Sequence, residues 1–144
     1  MHPYSPESVV IADEPVWMLR WAACHLEHVG LHQGSGLFNG PGRTVTLACW
    51  PRGAIEVAAG RGRGKAGRAY DWDRIHAARD QAMLAFAEHL TGRPLDPTAR
   101  DVGGQARAAI DQWSAEAHRT AATAAQALRA AADALSARPA IPQV

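Results

Sequence analysis

Apolar residues recur at three- and four-residue intervals in several separate windows, and each window is bounded by helix punctuation. Leu19, Ala22, Ala23, Leu26 and Val29 fall on one helical face. Asp13 precedes them as a candidate N-cap, Glu14 and Pro15 fill the opening turn, and Gly30 is a stop. A second, short helix is predicted from Pro51 through Ile55, Val57 and Ala58-Ala59, closed by Gly60. The third follows the stripe Ile75, Ala78, Ala82, Phe86 and Leu90, capped by Asp71 or Asp73 and ended by Gly92 and Pro94. A short helix is expected from Gln105 to Trp113. A last one runs from Thr120 to Ala137, with Ala121, Ala124, Leu128, Ala131 and Leu135 on one side and a stop near Pro139.

The connections have their own signals. Gly34, Gly36, Gly40, Pro41 and Gly42 make a turn-rich loop, and residues 93–104 read as an irregular connection. Thr44-Val45-Thr46-Leu47, within Arg43 to Cys49, favours an extended strand through its β-branched side chains. One strand cannot stand alone, so it is expected to pair with residues 31–38. The fold class is therefore mostly α: a compact bundle of about four to five helices with one short β-hairpin or strand pair near residues 31–49. Residues 14–138 form the helical domain. Residues 1–13 are expected to be a loosely held arm, with Val9-Val10-Ile11 pinned to the domain, and 139–144 a tail.

Composition sharpens this picture. Of 144 residues, 31 are alanine, while Leu, Ile, Val and Phe together number 25, or about 17%. So few large aliphatics would suggest disorder if the net charge were high, but it is only +1. A folded alanine-rich domain follows, since alanine favours the helix and lets neighbouring helices approach closely. The last helix should lie flat against a neighbour with Leu128 and Leu135 as anchors. No apolar run reaches the length of a membrane span, and Met1–Asp13 lacks the regions of a signal peptide, so a soluble, cytoplasmic protein with no membrane contact is expected. Cys24 and Cys49 are expected to be reduced thiols, and no cofactor is implied.

Positive charge is local: residues 43–79 carry +5, against −3 before and −1 after. The stretch Gly60–Arg68 places Arg61, Arg63, Lys65 and Arg68 on a glycine-rich backbone with no acid among them. Such a loop could track phosphates of a nucleic acid, or serve simply as a solvated linker. It is not a Walker A loop, because Ala59 stands at the first glycine position and Ala66 follows Lys65 where Ser or Thr is needed.

Three further sets invite chemistry. Cys49 lies just before a helix start, where the dipole would favour a thiolate; His118 could serve as base and Gln33 could polarise an oxyanion, in the order of papain-like hydrolases. The alternative is a buried structural thiol. His25, His28 and His32 have the i, i+3, i+7 spacing of a metal-binding face, interrupted by Gly30; the alternative is a set of solvated imidazoles near a helix end. Five tryptophans include Trp17 and Trp21 on the first helix, offset from its apolar stripe, where they could anchor a partner or instead cover a thin core.

Several of these residues also line up in a familiar order. Leu19, Ala22 and Ala23 open it, followed by Gln33-Gly34, then Cys49 with Gly53-Ala54, and Trp113 with Arg119-Thr120 before an alanine-rich helix. In this order the chain resembles an uncharacterised family of small proteins from actinobacteria and their phages, over roughly residues 16–137. It departs from that pattern in having three residues between Cys49 and Gly53, in Ser114-Ala115 and His118, and in an apparent insertion at 93–108. The resemblance implies a compact, mostly helical domain and lends no mechanism. The function expected from the sequence is non-enzymatic: binding of a protein partner through Trp17 and Trp21, or self-association as a homodimer. Nucleic-acid association through residues 60–68 is the second expectation, and a Cys49 hydrolase the third.

Overall fold

The computed structural model describes residues 4–5, 11–63 and 69–138. Among them it contains five helices: α1 (Pro15–Val29), α2 (Pro51–Ala58), α3 (Trp72–Thr91), α4 (Val102–Ser114) and α5 (Ala121–Ser136). The punctuation explains most boundaries. Pro15 and Pro51 occupy first helical turns, where the missing N–H costs nothing. The Asp71 carboxylate accepts from the Arg74 N–H at 3.1 Å and starts α3. Gly92, at φ 68°, ends it in the left-handed conformation. Thr120 and Thr123 bond reciprocally at the start of α5, each hydroxyl accepting from the other residue's N–H. Two starts differ from the sequence expectation: the N-cap of α1 is Glu14 rather than Asp13, and α4 begins at Val102, three residues before Gln105.

Helix α1 is the hub, packing on α2, α3 and α5. It buries Met18, Leu19, Trp21, Ala22, Ala23, His25 and Leu26. Helix α5 packs on α1 and α3 and buries Ala124, Ala125, Leu128, Ala131 and Ala132, so its side of the seam with α1 is largely methyl groups. Leu128 is fully enclosed as expected, while Leu135 packs only partly against the core. Two ion pairs cross the outside of the seam, Arg20 with Asp133 at 3.2 Å and Arg129 with Glu27. Helix α3 contributes Ile75, Ala82 and Phe86, and α4 contributes Ala106 and Ile110.

The expected β-hairpin is not present. Among the described residues there is no strand: Thr44–Thr46 form one 3₁₀ turn, and pairing shrinks to two isolated bridges from Cys49 to Leu31 and Phe38. Local bonding explains the difference. Both the N–H and the hydroxyl of Thr46 bond to the Arg43 carbonyl, at 2.9 and 2.8 Å, which folds this β-branched run back on itself.

Candidate functional site

The corner around Cys49 holds two residues of the sequence pattern, Cys49 and Gly53, against the loop backbone. The Cys49 N–H donates to the Gly30 carbonyl at 3.1 Å, its carbonyl accepts from His32 at 3.0 Å, and the Trp50 N–H reaches Leu37 at 2.9 Å. This places the thiol inside, with no exposed surface, where burial pushes its pKa up to about 12. Gly53 makes the enclosure possible. A Cβ there would lie 3.1 Å from the Leu37 carbonyl oxygen and 3.2 Å from Cys49 Cβ.

Gln33 and His118, the other two members of the supposed hydrolase, are engaged elsewhere. The Gln33 side-chain amide donates to the carbonyls of Ser114 and Glu116, at 2.9 and 2.8 Å. The Ser114 carbonyl ends α4, where the helix leaves it without a partner, and the Glu116 carbonyl in the turn beyond also accepts from the Arg119 N–H at 3.0 Å. His118 is exposed, with Nε2 3.5 Å from the Glu116 carboxylate. Arg119 completes the clamp: its guanidinium lies 3.9 Å from the Trp113 ring centroid, Nε donates to the Trp113 carbonyl at 3.0 Å, and Nη2 meets Glu116 at 3.0 Å. Gln33, Trp113, Arg119 and Thr120 thus fix the turn between α4 and α5.

The three histidines diverge. His25 is buried, its ring stacked on Trp21 at 4.9 Å with 19° between planes, and Nδ1 is 2.6 Å from the Tyr4 hydroxyl. Its pKa falls to about 4, first because burial disfavours the cation and then because His28 and Arg63 are nearby. His28 is exposed, and His32 lies beyond the helix with Nε2 3.1 Å from the Ser35 carbonyl. No group of three potential metal-ligating residues occurs among the described residues.

The tryptophan and arginine candidates are also separated. Trp21 is 9% exposed and belongs to the core, whereas Trp17 is half-buried beneath the Arg20 guanidinium, 5.1 Å from its ring centroid. Arg63 does not lie on the surface of the basic stretch. It is 5% exposed, sits 4.5 Å over the Trp21 ring and donates to the Ala58 carbonyl at 3.2 Å. Arg61 is exposed, 5.1 Å from the Phe38 ring centroid. Lys65 and Arg68 lie outside the described residues.

A groove between α3 and α4 has no counterpart in the sequence expectations. Its volume is about 310 Å³. Met83 and Ala106 form the buried floor, and Leu84, Val102 and Pro97 rise beside them. Asp80 and Arg107 stand at the rim. The signal that could have found it is Gly103-Gly104, which belongs to the first turn of α4 rather than to the connection before it.

Taken together, the described residues form a small all-helical domain whose reactive side chains are either enclosed or scattered. A model of the family of unknown function DUF6197 matches residues 12–134, and the chain belongs to that family. No curated protein and no solved structure matches it.

Proposed function

We propose that the chain is a non-enzymatic interaction protein that binds a protein partner through the groove between α3 and α4. The observation that carries this is the groove itself, an apolar recess with a charged rim and no cysteine, histidine or hydroxyl in its lining. It is large enough to receive one anchoring side chain, the element that dominates most protein interfaces. Trp21 is committed to the core, which leaves Trp17 as the member of that pair with a share of surface.

The test is positional photocrosslinking in the native cell extract. A benzophenone side chain at Gln81, on the rim, should give a discrete adduct that is lost when Leu84→Arg blocks the recess, while the same probe at Asn39 gives none. Equal adducts at both positions, or an adduct indifferent to Leu84→Arg, rejects the groove. Sedimentation equilibrium of the purified chain then separates a foreign partner from a second copy.

A further inference from the structure

We propose that the groove between α3 and α4 selects an apolar side chain that carries a carboxylate beside it, and that Arg107 recognises the charge. The inference rests on the groove being a binding site, and it specifies what the site takes.

The apolar half of the preference comes from Met83, Leu84, Val102 and Ala106, which remove hydrocarbon from water without offering a hydrogen bond. The charged half comes from which rim groups have their hydrogen-bonding capacity engaged. Asp80 is already ion-paired with Arg79 at 3.3 Å. The Asp101 carboxylate, in the loop entering α4, accepts from the Gln105 amide at 2.8 Å. Arg107 makes no hydrogen bond or ion pair among the described residues.

The missing side chain at Gly103 leaves room for it. A Cβ on Gly103 would meet Arg107 Nη1 at 3.3 Å, so the guanidinium folds onto the first turn of α4 at the groove mouth. A ligand whose hydrocarbon fills the recess therefore meets a guanidinium with its donors uncommitted, and a planar carboxylate can accept two of them. A neutral apolar group fills the recess equally well and leaves the guanidinium as it was. The partner segment is accordingly a chain end, a leucine-sized C-terminal residue whose free carboxylate meets Arg107.

The probes are N-acetyl-leucine and N-acetyl-leucinamide, which share the side chain and differ in the carboxylate, titrated at millimolar concentration into the full, ¹⁵N-labelled chain. The acid should shift the amides of Leu84 and of residues 102–107 and bind about fivefold tighter than the amide, the size of one solvent-facing ion pair. Arg107→Gln should bring the acid down to the level of the amide and leave the amide unchanged. Arg107→Lys should retain part of the difference, and added salt should shrink it. Equal binding of acid and amide to the native chain, or no effect of Arg107→Gln, overturns the inference and leaves the groove standing. If neither probe shifts groove residues, the groove reading fails and takes the inference with it.

Discussion

The hydroxyl of Tyr4 lies 2.6 Å from Nδ1 of His25, a side chain with no exposed surface. The ring of Tyr4 packs at 4.8 Å from Trp21 and at 6.0 Å from His28. Tyr4 is therefore joined to α1 through an imidazole that burial first, and then the neighbouring His28 and Arg63, keep neutral.

This arrangement makes folding stability depend on pH. The folded pKa of His25 is about 4 against an ordinary value of 6.5. Between these values the unfolded chain binds the extra proton, so stability is complete above pH 6.5 and declines as pH falls towards 4. Urea unfolding should lose about 2 kcal/mol between pH 7 and pH 5 from this group. His25→Phe should flatten the profile in that window, and an unchanged slope would remove His25 as its source.

The two thiols should be easy to tell apart. Cys49 is enclosed and its pKa is pushed up to about 12, whereas Cys24 is half-buried with Sγ 3.6 Å from Arg129 Nη2. A disulfide reagent at pH 8 should titrate one thiol in the native protein and two after denaturation. Rapid modification of Cys49 in the native state would revive the hydrolase reading.

Gln33 is expected to act on stability rather than on chemistry. Its amide donates to the last carbonyl of α4 and to one in the turn beyond, and since the side chain is exposed, water can replace part of each bond. Gln33→Ala should cost about 1 kcal/mol, read as a lower urea midpoint with the slope unchanged. A variant as stable as the parent would argue against the clamp.

Gly53 provides a steric test. Gly53→Ala introduces a methyl at 3.1 Å from a carbonyl oxygen and 3.2 Å from Cys49 Cβ, and the backbone side of that contact cannot easily withdraw. Overpacking of about 1–3 kcal/mol, less the roughly 0.5–1 kcal/mol that Ala gains over Gly inside a helix, leaves an expected destabilisation of about 1–2 kcal/mol. Cys49→Gly in the same background should recover part of it if Cys49 is the limiting neighbour.

Much of the helical framework was legible because its boundaries are written locally. Proline, glycine and capping residues stand at the ends of α1, α2, α3 and α5, within a few residues of the groups they serve. The expected strand does not form because β-branching at Thr44–Thr46 speaks only to backbone preference, while the bond from Thr46 to Arg43 decides the outcome. Gly103-Gly104 reads as a breaker in the sequence, which sets the expected start of α4 too late and conceals the groove. Arg63 looked solvated because nothing local ties it to Trp21, which is forty-two positions away along the chain. Gln33 is likewise separated from its acceptors by 81 and 83 positions. Contacts of this range depend on the finished packing.

The methyl-lined seam between α1 and α5 carries a thermal consequence. Alanine hides little hydrocarbon per residue, so melting the bundle exposes less water-ordering surface than a leucine-rich core of equal length. The heat capacity increment should fall below the usual ~12–15 cal/mol/K per residue. A smaller increment flattens the curve of stability against temperature, and such a bundle tolerates chilling better than its modest core would suggest.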